Sequence, residues 1–464
     1  MSTVLTDDQQ RAYDAMTSYK NVCITGPAGV GKTLLINHFI TNHCGSNFNL
    51  TFSTGNIAVT AATGIAATLI NGNTLHSWAG IGLGNEKDLV AKIKRSRGAV
   101  ARWMGVKTLI IDEISMISGT LFTKLDEIGK ALRGIDSLFG GIQVIVFGDF
   151  CQLPPVRGSN DFAFQSPSWD FEVIHLTKVM RQSDLEFVAI LNKIRFAEEL
   201  SVEQKKLLES CMNRDRTPPI EGIKPTIIDP YRANVEQYNI DELKLLIAKN
   251  REEMAKYSAD SITDANYDTH PLNQLDTILF KAVYEVRKSL GLSSSNDLDK
   301  KDNFLEKLIF DRVPCQQKLY LTTGAQVMLV RNLDVMSGLV NGARGVIRQI
   351  LYRNKCPAGA MVEFISKKGI LVPITSFTWS IKLGETIYEI CQLPLILAWS
   401  CTSHKSQGST IDYAEVNLAD TFEYGQVYTI ISRVKSLNGL IINSLDYDKI
   451  KVHSEVKKFY KSCL

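Results

Sequence analysis

The eight residues Gly26-Pro27-Ala28-Gly29-Val30-Gly31-Lys32-Thr33 decide how this chain is read. They fit the pattern G-x-x-x-x-G-K-[ST] and stand between an apolar run, Val22-Cys23-Ile24, and an amphipathic stretch opening Leu34-Leu35-Ile36. That order predicts strand, glycine loop, helix. A triphosphate needs a nest of backbone N–H groups at a helix N-terminus, and glycines let the main chain come close to the phosphates. Lys32 adds a point charge for the β- and γ-phosphates, and the Thr33 hydroxyl is placed to ligate magnesium. An ordinary glycine turn is the bland alternative, but it does not require this spacing or these flanks.

Working outward, a chain of 464 residues exceeds one ordinary core and implies two to four domains. Net charge is only +3, so any nucleic-acid footprint is local. Nine cysteines are scattered without a C-x-x-C pair, which argues against a zinc site and against a disulfide framework. Neither a membrane-length apolar run nor an export signal at Met1 to Gln10 is present. The expectation is a soluble, intracellular protein without a targeting signal.

Before the loop, Thr6 is an N-cap candidate ahead of Asp7 and Asp8. Gln9 carries the donors and acceptor that complement an adenine edge, and reads equally as a surface glutamine. After it, Ile57 to Ala67 is a β-branched run that breaks into Thr60, Thr63 and Gly64, followed by Thr74-Leu75-His76-Ser77. Hydroxyls and N–H groups at such an edge suit a phosphodiester backbone; the alternative is a strand end with a buried, satisfied His76. Residues 81–105 form a glycine-rich, then basic excursion with Lys92, Lys94, Arg95, Arg97 and Arg102. The run Val106 to Glu113 ends in two carboxylates, as a strand buried in a parallel sheet would. Asp112 is expected to hold magnesium through water, and Glu113 to orient and deprotonate the attacking water. A second such run, Ile142 to Asp149, delivers Gln152 ahead of Pro154-Pro155, where a glutamine senses a γ-phosphate.

These motifs, taken together and in order, resemble the Pif-type DNA helicases of superfamily 1B, related to RecD. The match is carried by Gly26 to Thr33, Ile57 to Ala67, Ile110 to Met116, Gly148 to Val156, Val179-Met180-Arg181-Gln182, Gly324 to Leu329, Val340-Asn341-Gly342, His404 to Thr410, and Gly425 through Val434. The resemblance implies an α/β protein of two RecA-like parallel-sheet lobes, with ATP and Mg2+ in the cleft between them. Single-stranded DNA would cross both lobes, and translocation would run 5′ to 3′ with unwinding of forked duplex. It assigns Gln9 to adenine and Lys32 and Thr33 to phosphate and magnesium, within the loop Gly26, Pro27, Ala28, Gly29, Val30, Gly31. Asp112 and Glu113 go to metal and water, Gln152 to the γ-phosphate, and Arg181 and Arg433 are presented by the second lobe. Thr60, Thr63, Gly64, His76, His404, Lys405 and Gln407 would face the DNA.

The expected layout is lobe 1 over 1–170 with a basic wedge at 81–105, and lobe 2 over 171–464. Within lobe 2, 250–303 is a variable insertion and 316–392 a small β-barrel built from strands at Leu319 to Leu321, Gln326 to Val330, Gly345 to Ile350, Met361 to Ile365 and Leu371 to Ile374. Leu395 to Trp399 reads as a buried strand of lobe 2, and Tyr424, Tyr428 and Trp399 as base-stacking or core residues. The free protein is expected to be monomeric, with protein partners unassigned. Two rival functions stay open: an ATP-driven clamp or remodeller that does not unwind, and an RNA helicase.

Overall fold

The computed structural model describes residues 4–44, 56–82, 88–155, 160–182, 184–212, 218–258, 278–281, 283–287, 310, 313–334, 337–354, 356–383, 386–403, 406 and 409–463. Its first lobe is a six-stranded, all-parallel sheet of β1 (Val22–Thr25), β2 (Ile57–Ala61), β3 (Asn73–Thr74), β4 (Thr108–Asp112), β5 (Gln143–Gly148) and β6 (Glu172–His175), in the order β3-β2-β4-β5-β1-β6. Strand β1, next to the edge, pairs with β5 on one side and β6 on the other, Val22 facing Ile145 and Glu172. Strand β6 therefore carries the first sheet past the boundary expected at 170.

Both faces of this sheet are covered, which is why its strands read as unbroken apolar runs. Alternate residues point to opposite faces: Cys23, Leu109, Ile111, Val144 and Val146 join one core, Val22, Ile24, Ile110, Ile145 and Phe147 the other. The second face is closed by α1 (Asp7–Thr17) and α2 (Lys32–Cys44). The first face is closed by the helix Gly119–Arg133 and by the excursion, whose helices Leu89–Lys94 and Arg97–Gly105 bury Ile93, Ala99 and Trp103. Lys94, Arg95 and Arg97 are exposed there, whereas Arg102 turns inward, its Nε donating to the Trp78 carbonyl at 2.7 Å.

The second lobe is a four-stranded parallel sheet in the order Ser400–Thr402, Thr226–Asp229, Ala414–Asn417, Leu440–Ser444. The strand expected at Leu395 to Trp399 spans Leu395–Leu397 and is followed by a separate strand, Ser400–Thr402. Leu395–Leu397 pairs antiparallel with Gln326–Leu329 in the accessory unit, and only Ser400–Thr402 enters the parallel sheet.

The accessory unit is antiparallel, as expected of a small β domain in this part of the chain. Among the described residues its strands are joined in three antiparallel pieces: a five-stranded sheet (Leu371–Thr375, Cys356–Phe364, Arg344–Arg353, Gln326–Leu329, Leu395–Leu397), a three-stranded sheet (Phe377–Leu383, Thr386–Gln392, Val283–Arg287) and the pair Lys318–Leu321 with Ile278–Lys281. The strand at Leu319 to Leu321 thus belongs to the pair and not to the main sheet, because its partner is Ile278–Lys281. Two of these strands come from 250–303, and the helix Arg232–Ser258 runs into the same stretch, so the expected insertion contributes ordered elements. Leu243, Leu246 and Ile247 of that helix pack on the five-stranded sheet together with Trp399. No described helix is long and apolar enough to cross a membrane.

Candidate active site

The site is assembled where the carboxyl ends of β1, β4 and β5 meet the second lobe. After β1 the chain turns through Gly26 (φ 149°), Gly29 (φ 83°) and Gly31 (φ 83°), a left-handed region that glycine enters without strain. Space demands glycine as well: a Cβ at Gly31 would lie 2.7 Å from Gln9 Nε2, and one at Gly29 would strike the Arg181 side chain. Thr33 then stands in the first turn of α2. Lys32 Nζ donates to the carbonyls of Gly26 (2.7 Å) and Pro27 (2.9 Å), and burial lowers its pKa to about 8 against the opposing pull of Asp149 and Glu113.

Gln9 is buried against this loop. Its amide donates to the Val30 carbonyl at 2.9 Å, while its Oε1 accepts from Thr6 N–H at 3.1 Å and completes a capping box with Thr6. Both ends of the side chain expected to read adenine are thus engaged with protein.

At the end of β4, Asp112 is buried and accepts from the Glu113 N–H at 2.9 Å. Burial and the adjacent Glu113 push its carboxyl well above the usual carboxylate range. Glu113 adopts φ 55°, ψ 48°, left-handed backbone that costs a non-glycine residue about 1–3 kcal/mol. Paired hard oxygen donors in this setting, with the Thr33 hydroxyl, are the donor set that magnesium takes. Among the described residues no cluster of three or more His, Cys, Asp or Glu side chains is arranged as a separate metal site.

The second lobe completes the site. Arg433, 2% exposed, donates through Nη2 to the Gln152 Oε1 and through Nε to the Thr429 carbonyl at 3.1 Å. Tyr428, in the helix Gln426–Ile431, accepts from the Ala28 N–H at 2.9 Å, so a second-lobe hydroxyl rests on the phosphate loop itself. Arg181 is placed differently from expectation. It follows β6, its neighbour Met180 N–H bonds the Gly29 carbonyl at 2.8 Å, and its guanidinium donates to the Ser432 carbonyl at 3.0 Å. It therefore belongs to the phosphate-loop side and reaches toward the second lobe; Arg433 alone of the two is presented across the cleft. Burial, then the neighbouring Arg433, lower the Arg181 pKa to about 9. Two guanidiniums held close together out of water repel one another, and a polyphosphate would relieve that repulsion.

Residues 4–198 match the model of the PIF1-like helicase family, and residues 303–350 match that of the DNA helicase Pif1 2B domain. The chain is 34% identical to "Uncharacterized protein 030L" of Invertebrate iridescent virus 6, over 98% of this chain and 94% of that protein. The solved Pif1 helicase from Candida albicans superposes with a TM-score of 0.73 at 31% identity, covering 100% of both chains. This chain belongs to the PIF1-like helicase family. It is 35% identical to the ATP-dependent DNA helicase PIF1 of Danio rerio, over 98% of this chain but 64% of that longer protein, so it spans less than two thirds of that relative.

Within this PIF1-like framework the expected DNA-facing residues fall into three groups. Thr60 is fully buried in β2, its hydroxyl donating to the Ile110 carbonyl of neighbouring β4 at 2.7 Å, so it does not face DNA. Thr63 and His76 are half-buried, and the Thr63 hydroxyl accepts from Ala66 N–H at 3.2 Å. Gly64 opens the helix Gly64–Leu69. His404, Lys405 and Gln407 lie outside the described residues. Of the aromatics, Trp399 and Tyr428 are buried and Tyr424 packs edge-on to His453.

Sequence reasoning missed two residues that shape the site. Gln182 is buried and its amide donates to the carbonyls on both sides of Arg433, Ser432 at 3.1 Å and Val434 at 3.0 Å. Asp149 is fully buried and held ionised; burial opposes this, but Arg195 offsets it through a salt bridge at 3.0 Å. An Asp directly after an apolar strand is visible in the sequence, but its partner Arg195 lies on a helix whose spacing speaks only of core.

Proposed function

We propose that this chain is an ATP-dependent DNA helicase that translocates 5′ to 3′ on single-stranded DNA and separates forked duplex. The observation that carries the reading is the Arg433 side chain of the second lobe meeting Gln152 of the first, while Tyr428 of the second lobe rests on the phosphate loop at Ala28. An arginine supplied across a cleft acts only when the cleft is closed, so hydrolysis and lobe movement are coupled. In this mechanism Lys32 and the loop N–H groups hold the β- and γ-phosphates, and Glu113 orients the attacking water and takes its proton. Gln152, Arg181 and Arg433 stabilise charge on the transferring phosphoryl group. Thr33 and Asp112 would hold magnesium, which would supply Lewis-acid neutralisation of phosphate charge. The single strand is gripped through its phosphates by Thr63, Gly64, His76, His404, Lys405 and Gln407, and the free protein is monomeric.

The test is strand displacement with 5′-tailed and 3′-tailed fluorescent duplexes in parallel, with Lys32→Ala as the inactive control. Displacement of the 5′-tailed duplex alone is expected. ATP turnover without displacement of either substrate would favour a clamp, and displacement of the 3′-tailed duplex alone would reverse the polarity. The same assay on 5′-tailed RNA separates DNA from RNA activity.

A further inference from the structure

The helix Ser454–Cys463 is among the last elements of the chain, yet it packs on the first lobe. Phe459 stacks on Phe164 with centroids 4.5 Å apart and meets Phe150 edge-on at 5.2 Å. Beside it, Tyr460 is 1% exposed, and its hydroxyl makes three hydrogen bonds, as many as a phenol can. It donates to Asp149 Oδ1 at 3.0 Å, accepts from Phe150 N–H at 3.1 Å, and lies 2.7 Å from the Thr25 hydroxyl, which must then be a donor. Thr25 is the last residue of β1, directly before Gly26 of the phosphate loop. Asp149 and Phe150 directly follow β5 and lead to Gln152. Arg195 closes the network from behind, with Nε 3.0 Å from Asp149 Oδ2 and its guanidinium 4.9 Å from the Tyr460 ring centroid.

We propose that Tyr460 is a positioning residue of the nucleotide site, its hydroxyl tying the root of the phosphate loop to the root of the loop that carries Gln152. The inference rests on the hydrolytic reading above. Two adjacent parallel strands fix their loops only up to their last ladder bond, and each loop is then free to tilt. A hydroxyl shared by Thr25, Asp149 and Phe150 removes that freedom at the place where Lys32 and Gln152 must address one phosphate. The same segment also reaches the opposite lobe, because the Lys451 carbonyl accepts from the N–H of Gly425, the cap of the helix carrying Tyr428. The C-terminal segment is thereby built into the ATP site from both sides.

Tyr460→Phe tests this in the whole 464-residue chain, since the ring and its packing are kept and only the hydroxyl is lost. Phe459→Leu serves as a packing control. DNA-stimulated ATP turnover, KM for ATP and thermal midpoint are measured for each. Tyr460→Phe is expected to lower kcat by about tenfold, the worth of one well-placed hydrogen bond, with KM changed less than about twofold. Phe459→Leu is expected to lower the thermal midpoint while leaving kcat within about twofold of the parent. Should Tyr460→Phe not fold, Thr25→Val removes the same linkage from its other end and is expected to lower kcat likewise. A kcat near the parent value in the hydroxyl-deleted variant, or an equal kcat loss in Phe459→Leu, overturns the proposal. An unmodified chain without DNA-stimulated turnover would instead overturn the hydrolytic reading.

Discussion

Replacing Arg433 by alanine separates transition-state stabilisation from the other contributions to this site. The side chain is 2% exposed and is held by Gln152 and by the Thr429 carbonyl. An arginine brought across a cleft contributes about 10³–10⁵ in rate, which is about 4–7 kcal/mol at 1.36 kcal/mol per decade. Because Arg181 stays in place on the phosphate-loop side, the lower end applies, and a kcat loss of about 10³ is expected. Folding stability should change little. Gln152 loses the partner of a buried oxygen, a cost of about 1–3 kcal/mol, but relief of repulsion with Arg181 and removal of a desolvated charge offset it. Nucleotide affinity, read by titration with a fluorescent ATP analogue, should fall by no more than about tenfold. Arg433→Lys restores charge without the planar fork and should recover only part of the rate. A kcat within about tenfold of the parent, or a loss of affinity as large as the loss of turnover, refutes the assignment.

Other expectations rest on separate features. Gly425 has φ 68°, and a Cβ there would press into the carbonyl oxygens of Cys151 and Gln152. Gly425→Ala should therefore push the Tyr428 helix from the first lobe and cost more than about 2 kcal/mol, seen as a lower thermal midpoint together with reduced turnover; an unshifted midpoint contradicts the packing described. Lys32→Ala should abolish DNA-stimulated ATP turnover while circular dichroism stays native, and retained turnover would remove the loop from catalysis. Asp8 is one acid-sensitive group. Burial opposes its ionisation, but the backbone N–H and hydroxyl of Thr177, with Thr6 and Gln9 N–H, lower its pKa to about 2 from an unfolded value near 3.9. A depressed carboxylate contributes stability that is complete above about pH 4 and is lost as pH falls toward about 2. The difference in thermal midpoint between the parent and Asp8→Asn should accordingly narrow as pH drops from about 5 to about 3, and a gap independent of pH would rule out this linkage.

Much of this protein is local information, legible in the order of its residues alone. Glycines at 26, 29 and 31, the apolar runs ending at Thr25, Asp112 and Gly148, and the order of these segments specify a parallel sheet with a phosphate loop. Each depends on residues within a few positions of one another. Tertiary packing decided the rest. Whether the Thr60 hydroxyl meets solvent or the Ile110 carbonyl depends on which strand lies alongside β2, and nothing within β2 specifies it. Leu395–Leu397 and Ser400–Thr402 are nearly contiguous in sequence, and only their partners assign them to different sheets. Gln152 and Arg433 are 281 residues apart, and Thr25 and Tyr460 are 435 apart. Hydrogen bonds of that span leave no periodicity in the chain, because they are formed by the docking of whole lobes, and side-chain direction at such contacts exists only once the cores beneath them are packed.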